Sequence, residues 1–339
     1  MIKQFQRGVA AIALIAATVL AASPALAQQK SEIALSRQPG IFYMPSHIME
    51  KLKLIEKHAA SLGVPGVTTK WVTFSGGGAQ TDALLAGGVD ILNTGTGNLL
   101  LLWDRTRGGV KGIVATSAQP MTLISRDANI KSIKDFGPGD KIAVPTVKVS
   151  TQAIVLQIAA AEAFGADQWS KLDANTVQLG HPDAYAALSN PKHEVHNHFS
   201  IPPFTFLELK NVPGAHIVLS SPDVMGGPLS QAQFFTTTKF ADANPKIIQA
   251  VRDATKEAQD LIRSDTRQAV EIYKELTGDK TSVEELLNLL KEPGMMEWNL
   301  EPQGTMKFAA HLFKTGTLKN QPKAWTDYYL PVAHDLKGN

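Results

Sequence analysis

The sequence predicts an α/β protein of two lobes, each a mainly parallel β-sheet flanked by helices. Three observations carry that reading. Short apolar runs alternate with helical segments through residues 32–220, and such alternation places strands side by side with helices over the sheet faces. The alternation occurs twice, before and after the stretch SAQPM at 117–121, where proline punctuates the chain as at a crossing. The length of 339 residues also exceeds what one core organises, since single cores stop growing at roughly 250–300 residues.

Taken in order, the first lobe reads as strand EIALS, a helix over 41–58, strand VTTKWVTF, a helix over 80–85, strand VDILN, a helix over 98–105 and strand VKGIVATS. The second reads MTLISR, KIAVP, a helix over 150–164, NTVQL, a helix over 183–188, EVHNHF and HIVLS. A helical region begins at NPKIIQAVRDATKEAQDLI. There Asn244 can cap, Pro245 suits the first helical position, and Ile247, Ile248, Val251, Ala254, Ala258, Leu261 and Ile262 line one face. Ser282-Val283-Glu284-Glu285 is a capping box that opens another helix. No third sheet pattern is present, so these helices bury their apolar faces on an existing lobe. The expected partition is residues 28–117 with 241–339 in lobe I and 118–240 in lobe II, the second crossing falling within 221–240. Two crossings create a cleft over a hinge.

Residues 1–27 read as a secretory leader. Lys3 and Arg7 precede an apolar run from Val9 to about Ala22, and Ala25-Leu26-Ala27 is a small-x-small cleavage site. The run is shorter than the ~20 residues a spanning helix needs. The chain has no cysteine, which removes disulfides, thiolate metal sites and lipid attachment, so a periplasmic protein that is not a lipoprotein is expected. Losing Lys3 and Arg7 brings the 33 basic residues level with the 31 acidic ones. Such a balanced surface argues against nucleic acid, whose recognition needs a concentrated basic footprint.

The stretch FSGGGAQTDALLAGGVDILNTGTGN (74–98) holds two glycine turns, each leading into a helix. Neither supplies the lysine of a G-x-x-x-x-G-K-[ST] phosphate loop, and Leu100 and Thr81 stand where the third glycine of G-x-G-x-x-G belongs. What remains is a strand end, small residues that let a ligand approach the backbone, and unpaired helix N–H groups that favour anionic or polar groups. Tight βα turns with no ligand are the alternative. The second lobe repeats the element in VPTVKVSTQAIVLQ, where Ser150 or Thr151 can cap. If the lobes face each other, Ser75 to Gly77 and Thr96 to Asn98 meet Thr146 to Thr151.

These segments, together with IKSIKDFGPGDKIAVPTVKVSTQAIVLQIAAAEAFG, resemble the periplasmic substrate-binding proteins of ABC importers for nitrate, taurine and aliphatic sulfonates, which share their fold with thiamine-pyrimidine binders. The likeness covers about 32–240. It implies a type II clamshell that closes on a small solute and hands it to an inner-membrane permease, with no cofactor and no metal, and a monomer is expected. On the family pattern the ligand contacts fall on Gln38, Phe42 and Tyr43, on Ser75, Gly76 and Gly77, on Thr96, Gly97 and Asn98, and on Thr146, Ser150 and Thr151.

The sequence departs from the pattern at VHNHFSIPP (195–203), where members often carry V-D-A-W-A-x-W-x-P. His198 stands where an aromatic residue often touches ligand. Strand alternation would put His196 and His198 on one face and His193 on the other. An H-x-H pair can bind zinc, with His181 and Glu194 near in sequence, but no third ligand shares the face. A hydrogen-bonding or a structural histidine is the alternative. Lys148 and Arg37 can pair with an anion or stand as solvated surface, while Phe42, Tyr43 and His198 suit an organic portion. The expected solute is a small organic anion, sulfonate or carboxylate, with nitrate or a thiamine-pyrimidine precursor as the alternative and sensing as an alternative to uptake. An enzyme that shares the fold relies on a cysteine-rich motif that this chain lacks, and no nucleophile elbow or H-E-x-x-H helix is present, so no enzyme activity is expected.

Overall fold

Two five-stranded sheets organise the chain. The structure is a computed structural model that describes residues 30–339, so the expected leader lies outside the described residues. Ser31–Asn339 form one unit.

The first half runs β1 (Glu32–Arg37), α1 (Met44–Lys51), α2 (Leu54–Ser61), β2 (Thr68–Thr73), α3 (Gly77–Leu85), β3 (Ile91–Gly95), α4 (Thr96–Arg105) and β4 (Val110–Ser117). After the crossing come β5 (Thr122–Ser125), β6 (Ile142–Val144), α5 (Thr151–Phe164), β7 (Thr176–Gln178), α6 (His181–Ser189), β8 (Asn197–Ser200), α7 (Phe204–Asn211), β9 (His216–Ser220) and α8 (Ser221–Met225). The chain then returns through β10 (Ala232–Thr237) to α9 (Thr238–Ala243), α10 (Pro245–Ser264), α11 (Thr266–Thr277), α12 (Val283–Leu289) and α13 (Thr305–Lys314).

Sheet I has the order β2-β1-β3-β10-β4 and sheet II the order β7-β6-β8-β5-β9. The βαβ units pair in parallel, β1 with β2 and β3, and β6 with β7 and β8. Strands that return across a sheet pair antiparallel, β10 with β3 and β4, and β5 with β8 and β9. The pairing places β10 in sheet I, so the boundary expected at 240 moves to before Ala232. Ala232 through Thr236 are buried, as a strand covered on both faces must be, and their partners lie more than a hundred residues back in the chain.

The helix expected over 41–58 is two helices, because Lys53 takes a left-handed conformation (φ 50°) between α1 and α2. α1 rests on both α10 and α11 while α2 rests on α10, and one straight rod does not meet both surfaces. α10 follows its sequence pattern: Pro245 opens it, and Ile247, Ile248, Val251, Ala254, Ala258 and Ile262 are buried, with Leu261 half-buried. The Ser282–Glu285 capping box forms as expected. Among the described residues no helix is long and apolar enough to cross a membrane.

Candidate functional site

In open α/β sheets, ligands gather at the carboxyl ends of the strands, where short turns feed helix N-termini. Here α3 and α4 start at the ends of β2 and β3 in sheet I, and α5 and α6 start after β6 and β7 in sheet II. These turns meet. The Gly78 N–H donates to Thr146 Oγ1 at 3.4 Å. A methyl group on Gly76 would lie 2.9 Å from the Pro145 carbonyl oxygen, one on Gly95 2.5 Å from Thr151 Oγ1, and one on Gly180 2.9 Å from the Ser75 carbonyl oxygen. A methyl on Gly97 would overlap the Val149 carbonyl. The glycines are needed because backbone from one half rests on backbone of the other, and a side chain there would hold the halves apart. At the loop after β1, the Ile41 N–H donates to the Pro202 carbonyl at 3.1 Å.

Most of the sequence-predicted residues gather at this junction, in different roles. Gly76, Gly77, Gly97 and Asn98 are buried there, Asn98 Oδ1 lying 2.5 Å from where a Gly77 methyl would stand. Ser150 caps α5, its hydroxyl accepting from Ala153 N–H at 3.2 Å. Thr151 is buried, and its Oγ1 has no partner among the described residues. Gln38 donates to Gln80 Oε1 at 2.9 Å and to Thr94 Oγ1 at 2.6 Å. Tyr43 is buried, and burial pushes its phenol well above the usual range, partly offset by hydrogen bonds to Thr94 and Gln38.

Other expected residues stand differently. Phe42 is fully buried in the core. The Thr96 hydroxyl turns away to β10, donating to the Ser230 carbonyl and accepting from Gln233. Ser75 is exposed, and its backbone carbonyl faces Gly180 of the other half. Lys148 is exposed with φ 65°. Arg37 is no anion receptor: it is buried, lies 2.5 Å from Glu50 and packs 5.3 Å over the Trp71 ring.

His198 does not stand at the helix N-termini. It is fully buried in β8 and belongs to a chain of side chains across the second half. Its Nδ1 lies 2.5 Å from Glu208 Oε1 and its Nε2 lies 2.9 Å from His181 Nδ1. His181 Nε2 in turn is 3.4 Å from Gln152 Nε2. Burial, and after it the neighbouring His198 ring, holds His181 well below the usual histidine pKa, so the ring is neutral. A continuous line of polar contacts thus runs from Gln152 through His181 and His198 to Glu208. Gln152 lies in the first turn of α5, so the relay reaches the helix start that meets Gly95. His193 stands apart, its Nδ1 accepting from Val195 N–H, and no group of acidic or histidine side chains suited to a metal occurs among the described residues.

Sequence reasoning missed Gln152, Glu208 and the place of His181. The signal available was Gly180 before His181-Pro182, the strand–glycine–helix pattern seen elsewhere in the chain. Gln231 and Gln233, whose Oε1 atoms are buried without a partner among the described residues, were hidden because β10 was read as part of a crossing.

Together these features define a two-lobed α/β clamshell whose opposed sheet edges form a polar, glycine-lined junction. Neither a protein-family model nor a curated protein matches the sequence. The fold is that of periplasmic binding proteins. The chain is similar to the alkanesulfonate-binding protein of Xanthomonas axonopodis pv. citri bound to MOPS, with a TM-score of 0.69, 15% identity, and 88% of this chain and 98% of that one covered. It is similar to the periplasmic nitrate-binding protein of Synechocystis PCC 6803 at a TM-score of 0.64, 14% identity, and coverage of 91% and 89%. A Candida albicans protein described as exhibiting the generic periplasmic binding protein structural fold superposes at a TM-score of 0.64, with 13% identity and coverage of 88% and 96%.

Proposed function

We propose that this protein is the periplasmic solute-binding component of an ABC importer and that it captures a small organic anion between its two halves. The observation that carries the reading is the meeting of four helix N-termini from two separate sheets, together with the buried hydroxyl of Thr151, which has no partner among the described residues. Each helix start favours negative charge, by about 0.3–1 kcal/mol when exposed and up to ~2 when partly buried. A solute touching both halves binds the closed form better than the open one, and that difference is what shifts the population. The similar structures support the class of solute, one being an alkanesulfonate binder and another a nitrate binder. Delivery to an inner-membrane permease and export by the 1–27 leader complete the reading.

The test is a thermal-unfolding screen against alkanesulfonates, aromatic sulfonates and carboxylates, nitrate and pyrimidines, because a ligand of the native form raises the midpoint by mass action. An organic anion that raises it and shows saturable heat in calorimetry supports the assignment. A screen in which only the pyrimidines or none of the compounds act overturns it.

A further inference from the structure

The glycine junction is tight, leaving a cavity of ≈ 140 Å³ beside Gly78, Asn98 and Val149, and a larger space opens elsewhere between the halves. A groove of ≈ 580 Å³ opens where the loop after β1 and the end of α11 face α6 and α7. That volume falls within the roughly 300–1,000 Å³ of small-molecule sites. Its walls are organic and come from both halves. Tyr273, with Pro39, stands on the side of sheet I, and Tyr185, Phe204 and Pro203 on the side of sheet II. Phe204 is stacked on His181, with ring centroids 6.0 Å apart and planes 20° apart, so the buried relay backs this wall.

The charges at the rim are nearly all committed. Lys210 pairs with Glu285. Asp279 accepts from Tyr273 Oη at 3.3 Å and from the Thr281 N–H at 2.8 Å. Lys280 lines the groove, is exposed, and makes no ion pair or hydrogen bond among the described residues. The groove therefore offers aromatic faces and one uncommitted cation.

We propose that this groove receives a monoanion with an aromatic or bulky cyclic body, the ring held between Tyr185, Phe204 and Tyr273 and the sulfonate or carboxylate paired with Lys280 Nζ. Aromatic walls take flat bodies by offset or edge contact, and a lone ammonium on a groove rim selects one negative charge. The inference rests on the reading that the protein binds a solute between its halves, and it places that solute, its anionic group included, on the α6–α7–α11 face rather than at the helix N-termini.

The experiment titrates 2-naphthalenesulfonate, methanesulfonate and nitrate by calorimetry into the protein and into the Lys280→Glu variant, at an exposed position, and the Tyr185→Ala variant, at a half-buried one, the fold and unfolding midpoint of each being checked by circular dichroism. Naphthalenesulfonate is expected to bind more tightly than the two small anions, and Lys280→Glu to weaken it about tenfold. Tyr185→Ala should weaken it several-fold and leave methanesulfonate alone. If naphthalenesulfonate binds both variants as well as the parent, the groove assignment is wrong. Tight methanesulfonate or nitrate binding that ignores both substitutions would likewise overturn the groove while leaving the interlobe reading standing. Absence of binding by all the anions tested would overturn both.

Discussion

Gly97 shows how single residues set the behaviour of this molecule. In α4 an alanine should be the better helix former by about 1 kcal/mol, yet its methyl would overlap the Val149 carbonyl of the other half. Gly97→Ala is therefore expected to hold the halves apart at this point and to weaken the solute at least tenfold. Equal affinity in the variant, read by calorimetry, would show that the halves need not touch there. The buried histidines give a second prediction. Burial holds His47 at about 3, with the nearby Arg37 charge adding to it, and holds His181 well below its ordinary value. The unfolded chain takes up protons at both positions below about pH 6.5, whereas the native state does not. Stability should thus be unaffected by these groups above about pH 7 and fall as pH drops through 6.5, by about 1.4 kcal/mol per unit for each histidine. Urea unfolding at pH 7.5 and pH 5.5 measures this, and equal free energies at the two values would sink it. Arg37 illustrates the limit of reading charge from sequence: nothing local to Ser36-Arg37-Gln38 announces Glu50 and Trp71 as its partners.

Among the elements, those whose cause is local were legible and those shaped by neighbours were not. α10 has its proline at the start, its apolar face at helical spacing and its burial where the spacing puts it. Replacing Ile247, which is fully buried there, by alanine should cost about 2–5 kcal/mol. Ser282→Ala removes the hydroxyl that accepts from the Glu285 N–H and donates to its carboxylate, and should cost about 1 kcal/mol; chemical denaturation distinguishes the two. By contrast, the break at Lys53 carries no glycine or proline to mark it. It follows from the different surfaces that α1 and α2 must reach, a property of the tail helices beneath them. β10 was missed for a related reason. Its partners in β3 and β4 are distant in sequence, and a strand covered on both faces lacks the alternation that identifies a half-exposed one.

For the whole molecule, the chain crosses between sheets at about 118–121 and again before Ala232. We propose that these two crossings serve as a hinge, rocking about which changes the distance between the glycine turns of the halves. Solute binding is therefore expected to lower the radius of gyration in small-angle scattering, and Gly97→Val, whose larger side chain blocks the approach, should abolish the change. A ligand that binds with no change in scattering in the parent would argue against closure. The site was half legible at this scale. The helix starts at Thr146–Thr151 and Gly76–Asn98 announce themselves by composition, and they do meet. The relay from Gln152 to Glu208 draws on α5, α6, β8 and α7, and nothing in the spacing of those residues ties them together. The sequence by itself determined the two α/β halves, their turns and the amphipathic tail, because strand and helix periodicities and end signals act over a few residues. Which half β10 joins, where the free space between the halves lies and which charged groups remain uncommitted were decided only by tertiary structure, because each depends on contacts between segments that the chain brings together from far apart.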